Sequence, residues 1–106
     1  MKGTNLGEFQ EIVMLCILIL EKNAYGVTIQ EEIDSQMKRK ISRGALHTAL
    51  TRLEEKDFIV SAYGEPSPER GGRRKRYYEV TNKGVEALKE AKELRQTMWQ
   101  MIPRLS

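Results

Sequence analysis

Residues 70–76 carry five cationic side chains and two adjacent glycines, in the order Arg70, Gly71, Gly72, Arg73, Arg74, Lys75 and Arg76. Guanidinium groups bind phosphate oxygens through paired hydrogen bonds, and glycine lets a backbone approach a phosphate closely. Contact between these cations and a polyphosphate chain would release counterions and would depend strongly on salt. Taken alone, such a run is equally typical of a solvated basic hairpin. The segment indicates a polyanionic partner only when other features agree with it.

Residues 43–56 form a second group of candidate contacts, because their apolar positions recur with the period of a helix. The apolar side consists of Ala45, Leu46, Ala49, Leu50 and Leu53. The opposite side presents Gly44, His47, Thr48 and Thr51, with Arg43 and Arg52 at its edges and Ser42 as a suitable N-cap. A helix that is anchored on one side and carries short polar groups on the other fits the major groove of double-stranded DNA. As an alternative, Arg43 and Arg52 are surface charges that pair with Glu54 or Glu55.

The distribution of charge supports a polyanionic partner. Residues 39–76 contain ten basic and five acidic side chains, a balance of +5, within a chain whose formal net charge is +3. The two ends of the chain together therefore carry −2. A basic centre between slightly acidic ends predicts that one part of the molecule holds the polyanion.

The inventory of side chains excludes several classes of function. The single cysteine, Cys16, cannot form an internal disulfide or a thiolate zinc site, and inert packing is its simplest role. Because His47 is the only histidine, neither a metal site nor a cofactor is predicted. There is no nucleophile with a base and no glycine-rich phosphate loop, so an enzyme is not predicted. The longest apolar run, residues 12–20, is too short to cross a bilayer, so we expect a cytoplasmic protein without membrane contact.

The candidate contacts need a scaffold, and the hydrophobic pattern predicts one that is mainly α with a small β hairpin. The predicted helices cover residues 7–22, 27–38, 43–56 and 82–102, and the predicted strands cover residues 58–63 and 75–80. Prolines and glycines between the strands predict a long hairpin loop. Three helices followed by a hairpin describe a winged helix-turn-helix, to which a C-terminal dimerisation helix is added. The predicted domains are residues 1–80 for DNA binding and residues 81–106 for dimerisation.

The first and last helices carry more apolar surface than a domain of this size can bury by itself. The first helix is apolar all round, which predicts either a second copy of the chain or a central helix enclosed by its own domain. The last helix extends beyond a three-helix core. The residues predicted to form a homodimer interface, or a ligand pocket within it, are Phe9, Val13, Leu94, Met98, Trp99, Met101 and Ile102. For Trp99 and the neighbouring methionines, dimer core is favoured over a ligand cage.

Several motifs follow one another over residues 6–88. They are Leu6-Gly7-Glu8-Phe9, Ala24-Tyr25-Gly26, Ser42-Arg43-Gly44-Ala45-Leu46, Arg52-Leu53-Glu54-Glu55-Lys56, Gly64-Glu65-Pro66 and Glu69-Arg70-Gly71-Gly72-Arg73-Arg74-Lys75-Arg76-Tyr77-Tyr78, with Thr81 three positions on. In this order they resemble the PadR family of bacterial transcriptional regulators. The resemblance implies a homodimeric winged-helix repressor whose last helix mediates dimerisation and whose third helices meet a pseudo-palindromic DNA operator.

The resemblance also implies roles for individual residues. DNA contacts fall on Arg43, Gly44, Thr48, Thr51 and Arg52 of the third helix and on residues 70–76 of the wing. The family commonly has tyrosine where this chain has His47, so the chain departs from the family pattern at one predicted contact. Some members bind phenolic acids or flat hydrophobic drugs in the dimer interface, where a tryptophan of the last helix lines the pocket. Trp99 lies on the corresponding helix, which makes release by a small hydrophobic effector a hypothesis.

One rival interpretation uses the same scaffold differently. A winged helix can bind protein, with the basic wing holding an acidic partner instead of DNA. This rival predicts binding that does not depend on an operator sequence and that tolerates substitution of Thr48 or Thr51.

Overall fold

The computed structural model of the chain describes residues 6–66 and 74–104, and their elements follow the predicted order. The elements are α1 (Glu8–Leu20), a 3-10 turn (Glu21–Asn23), α2 (Gly26–Met37), α3 (Arg43–Glu55), β1 (Ile59–Tyr63), β2 (Arg76–Val80) and α4 (Asn82–Gln100). The predicted fold, mainly helical with one small hairpin, is confirmed, and each predicted boundary lies within two residues of the observed one. No helix in the described part of the chain is long and apolar enough to cross a membrane.

The core of the domain is built around α1. Val13, Met14, Cys16 and Ile17 are buried, and α2, α3 and β2 all contact this helix. Burial and, to a smaller extent, the charge of Glu32 raise the pKa of the Cys16 thiol to about 11. At neutral pH the thiol is therefore protonated and unreactive, as expected for a residue whose role is packing.

The two strands form an antiparallel hairpin that is joined to the helices at its base. Ile59 pairs with Val80 at one end, and Tyr63 pairs with Arg76 at the other. The backbone N–H of Tyr78 donates to the carbonyl of Ala24 at 2.9 Å, which connects β2 to the segment between α1 and α2. The base of the hairpin is thus held by the core.

The first half of α4 belongs to this core. Thr81 caps the helix as its hydroxyl accepts from the N–H of Gly84 at 3.0 Å, and the same hydroxyl donates to the carbonyl of Asp57 at 2.7 Å. Ala87, Leu88 and Ala91 are buried. The division of the chain into domains at residue 81 stays a prediction, but the winged-helix core uses side chains from both sides of that point.

The second half of α4 extends away from the core and exposes apolar side chains, in a molecule that measures 58 × 29 × 22 Å. These side chains are Leu94, Met98, Trp99, Met101 and Ile102. An ion pair between Arg95 and Glu11 connects this half of the helix to α1. Glu11, Leu15 and Leu18 lie on one side of α1, because they follow the i, i+4, i+7 spacing. Leu15, Leu18 and Ile19 are exposed, so α1 presents apolar surface near α4.

Two residues of α1 do not have the position that the interface prediction requires. Val13 is 0% exposed, because the core of its own chain encloses it completely, and its assignment to a dimer interface is wrong. Phe9 lies one turn earlier on the same side, is half-buried against the core and lines a groove next to α3. The apolar surface that α1 leaves uncovered consists instead of Leu15, Leu18 and Ile19.

We expect Gly84→Ala to destabilise the domain strongly. A Cβ atom at this position would lie 2.2 Å from the carbonyl oxygen of Phe58 and 2.7 Å from Val80 Cγ1. The Phe58 carbonyl cannot move away easily, because it also accepts from the N–H of Thr81. The variant should lose about 3 kcal/mol of unfolding free energy, measured by urea denaturation at a fixed protein concentration.

Gly44→Ala is the matched control. A Cβ atom on Gly44 would have no neighbour within 4 Å, and alanine is the better helix former. This variant should be as stable as the parent chain or up to about 1 kcal/mol more stable. Equal urea midpoints for the parent chain and Gly84→Ala would contradict the close packing of α4 against Phe58.

Candidate nucleic-acid interface

The polar side of α3 faces outward along its whole length. The helix is anchored by Leu46, Ala49, Leu50 and Leu53, which are buried. Each predicted contact on the other side is exposed, namely Ser42, Arg43, Gly44, His47, Thr48, Thr51 and Arg52. Ala45, which the sequence pattern places on the apolar side, is exposed as well. The structure therefore brings all the predicted α3 contacts to one surface.

The start of α3 is held by its cap and by the preceding turn. The hydroxyl of Ser42 accepts from the N–H of Ala45 at 3.0 Å, which confirms the predicted N-cap. In the turn, the Gln30 side-chain amide donates to the Ile41 carbonyl at 2.6 Å, and Asp34 Oδ1 accepts from the Ile41 N–H at 2.8 Å. Because both groups come from α2, the angle at which α3 leaves the turn is tied to α2.

Arg43 and Arg52 have no ionic partner in residues 6–66 and 74–104. The ion pairs of this part of the chain join Arg76 to Glu54, Lys89 to Glu86, and Arg95 to Glu11. The alternative in which Arg43 and Arg52 pair with Glu54 or Glu55 is therefore not observed. Two guanidinium groups at the edges of the α3 surface are left to interact with solvent or a ligand.

The wing residues divide into three groups. Arg70, Gly71, Gly72 and Arg73 lie outside the described residues. Arg74 is exposed and lines a cleft, whereas the Lys75 ammonium lies 4.4 Å from the centre of the Tyr25 ring. Arg76 points back to its own chain. Its Nη2 lies 3.0 Å from Glu54 Oε1, and its Nε donates to Ser61 Oγ at 2.9 Å.

The position of Arg76 corrects one expectation from the sequence. As part of a cationic run it is predicted to contact the polyanion, but its guanidinium is bound to groups of its own chain. Glu54 lies 22 positions earlier, so no local pattern could have revealed this partner. Sequence reasoning also missed Gln30, which contributes to the α2–α3 turn and lines the same cleft as Arg74.

That cleft lies between α2, α3 and the base of the wing. It has a volume of about 570 Å³, and Arg43, His47, Arg74 and Gln30 provide its polar groups. Val27, Leu46, Leu50 and Tyr78 provide apolar lining, and none of the described residues that line it carries a carboxylate. The cleft is thus suited to an anionic group attached to a less polar body. In the described residues no group of His, Cys, Asp and Glu side chains is arranged to hold a metal ion.

Residues 14–90 match the family described as the Transcriptional regulator PadR-like family. This chain belongs to that family. The PadR resemblance is therefore confirmed, and the members of this family are described as transcriptional regulators.

This chain is similar to one relative in sequence and to several solved structures in fold. A protein of Lysinibacillus sphaericus without an assigned function is 40% identical over 75 residues, which cover 69% of this chain and 66% of the relative, slightly under two thirds of its length. A PadR-like transcription factor from Bacteroides fragilis has a TM-score of 0.72 at 22% identity and covers 92% of this chain and 89% of its own. A transcriptional regulator from Clostridium thermocellum has a TM-score of 0.68 at 27% identity, over 89% and 86% of the two chains.

Proposed function

We propose that this PadR-like chain regulates transcription as a homodimeric repressor that binds double-stranded DNA. The observation that carries the proposal is the exposed surface of α3, where Arg43 and Arg52 flank short polar side chains and have no ionic partner in the described residues. Residues 39–76 include five acidic side chains, so two arginines that have no carboxylate partner among the described residues favour an external anion.

The dimensions of α3 support insertion into the major groove. A helix with its side chains is about 10–12 Å wide, and the major groove is about 12 Å wide. Gly44, Thr48 and Thr51 keep the outward side of α3 thin, while Arg43, Arg52 and His47 have hydrogen-bonding groups that can reach base edges or phosphates. In this arrangement α3 reads the operator, and the wing, with Arg74 and the predicted contacts at residues 70–73, lies against the phosphate backbone.

The uncovered apolar side chains support a second copy as partner. Leu15, Leu18 and Ile19 of α1 and Leu94, Met98, Trp99, Met101 and Ile102 of α4 are exposed in the single chain. Large apolar side chains that are clustered and exposed are typical of a protein–protein interface. Pairing two copies through these helices would place two α3 helices on one duplex, and a two-fold symmetric protein favours a pseudo-palindromic operator.

In the rival function, the winged helix binds an acidic protein partner. This function also uses the basic wing, but it does not require small side chains on the outward side of α3. The groove proposal depends on small side chains at Gly44, Thr48 and Thr51 and predicts preference among DNA sequences. An acidic protein would be held by charge alone, so binding to it would not respond to substitution of the threonines.

We expect Arg43→Ala and Arg52→Ala each to weaken binding to duplex DNA. The assay is a mobility shift with DNA from immediately upstream of the protein's own gene, at two salt concentrations. A lost guanidinium contact costs about 1–3 kcal/mol, which corresponds to about 5- to 150-fold in Kd. If the lost contact is to a phosphate, the slope of log K against log salt should fall by about 0.9.

Arg104→Ala is the matched control, because Arg104 is an exposed arginine beyond the end of α4. It should bind DNA as the parent chain does. Thr48→Ala should alter the preference between operator and competitor sequences more than it alters binding to random duplex. Equal affinity of the parent chain for operator and random DNA, together with full affinity of both arginine variants, would contradict the proposal.

We expect the chain to be a dimer at micromolar concentration and Met98→Glu to shift it toward monomer. Met98 lies on the exposed apolar side of α4, and burying an unpaired carboxylate between two chains is costly. Analytical ultracentrifugation measures the change. Gln96→Glu adds the same charge to the same half of α4 at a polar position and should stay dimeric. A monomeric parent chain would exclude this interface.

The effector hypothesis rests on Trp99, which is 60% exposed on α4 in the single chain. An aromatic ligand that stacks on this ring between two subunits should change its fluorescence with a saturating titration curve. Because Trp99 is the only tryptophan in the chain, the signal is specific to this position. A flat response across a broad panel of aromatic ligands would count against an effector site here.

A further inference from the structure

Three polar side chains form a closed ring where α3 meets the base of the wing. Arg76 Nη2 lies 3.0 Å from Glu54 Oε1, Arg76 Nε donates to Ser61 Oγ at 2.9 Å, and Ser61 Oγ donates to Glu54 Oε2 at 2.9 Å. Each member thus contacts both others. We call Glu54, Ser61 and Arg76 the wing clamp.

Aromatic rings add to the enclosure of the guanidinium. The centre of the Arg76 guanidinium lies 5.5 Å from the Tyr78 ring centre and 5.9 Å from the Tyr63 ring centre. Both distances fall in the range in which a cation is attracted to an aromatic ring. The Arg76 side chain therefore has a carboxylate, a hydroxyl and two rings as partners, which defines its direction although it is 42% exposed.

The wing clamp joins the two elements that are proposed to contact DNA. Glu54 lies in the last turn of α3, Ser61 lies in the middle of β1, and Arg76 is the first residue of β2. Arg76 also pairs with Tyr63 in the last strand pair before the wing. A change in the direction of the two strands at this position would move the wing relative to α3, and the wing clamp is placed to prevent that change.

We propose that Glu54 and Arg76 are positioning residues for DNA binding, and this proposal rests on the proposed function. The wing clamp holds α3 and the wing as one unit, so that Arg43 on α3 and Arg74 at the base of the wing face the same cleft. Arg76 does not contact a phosphate. Arg76, the cation of residues 70–76 that is closest to the core, thus affects DNA affinity by fixing the position of the wing and not by its charge.

The direction in which one substitution changes DNA affinity distinguishes this proposal from an effect of charge alone. Glu54→Gln removes a negative charge close to a polyanion and releases Arg76, so charge alone predicts tighter DNA binding. The wing clamp predicts weaker binding, because the wing loses its fixed direction. Ordering it on the DNA then costs conformational entropy, which makes the binding free energy less favourable. Glu55, the next residue of α3, has no ion pair in the described residues and is exposed. Glu55→Gln is therefore the matched control for loss of charge.

The experiment measures Kd and its salt dependence for the parent chain and its variants with one operator duplex. Glu54→Gln and Arg76→Gln should each bind about three- to tenfold more weakly, and the double variant should bind no more weakly than the weaker single variant. Glu55→Gln should bind equally or more tightly. The salt slope should stay unchanged in Arg76→Gln and fall by about 0.9 in Arg74→Gln.

Two outcomes would overturn the proposal. One is tighter binding by Glu54→Gln, as for Glu55→Gln. The other is a reduced salt slope for Arg76→Gln, which would make Arg76 a phosphate contact. The partial exposure of the Glu54–Arg76 pair means that neither variant should unfold the domain, and circular dichroism verifies this.

A measurement without DNA distinguishes failure of the clamp from failure of the proposed function. Amide hydrogen exchange at the wing end of β1 and β2 should be faster in Glu54→Gln than in Glu55→Gln. If the parent chain binds no duplex, the proposed function is wrong, and exchange alone tests the wing clamp. Equal exchange rates in the two variants would then overturn it.

Discussion

The apolar side of α3 is buried against the core around α1, and this contact determines which α3 side chains face outward. Leu46, Leu50 and Leu53 are almost completely buried. Because side chains three or four positions apart share one side of a helix, burial of these three turns the intervening polar positions, such as His47 and Thr48, toward solvent. The surface proposed to enter DNA is therefore defined by hydrophobic packing, and its chemistry can vary without loss of the scaffold.

The hairpin depends on the same core but is oriented by polar contacts as well. Phe58 and Ile59 are buried at the start of β1, which holds the base of the hairpin. Beyond that point the sheet has only two strands, and although Tyr78 of β2 is buried in the core, the direction of the sheet also depends on specific hydrogen bonds. Glu54, Ser61 and Arg76 supply these bonds. Nonpolar burial thus anchors the wing, and charged groups orient it.

α4 has two parts with different physical roles. Its first half is packed so closely that Gly84 leaves no room for a methyl group beside Phe58, which rigidly joins the helix to the core. Its second half is connected to α1 by the Arg95–Glu11 ion pair and leaves Met98 and Trp99 exposed. A rigid helix that carries uncovered apolar groups is well suited to hold a second copy at a defined distance, which is the requirement for reading two operator half-sites together.

The sequence by itself determined the order of the elements, the N-cap Ser42, and the polar side of α3, because these depend on spacing and on interactions between near neighbours. Only the tertiary structure decided which side of the uniformly apolar α1 is covered, and it placed Val13 inside the core and Leu15 outside. It also decided that Arg76 binds Glu54 although the adjacent Arg74 is exposed. The hydrophobicity and charge of a side chain limit which groups it can bind. The partner that it contacts in the fold is determined by residues far away in the chain.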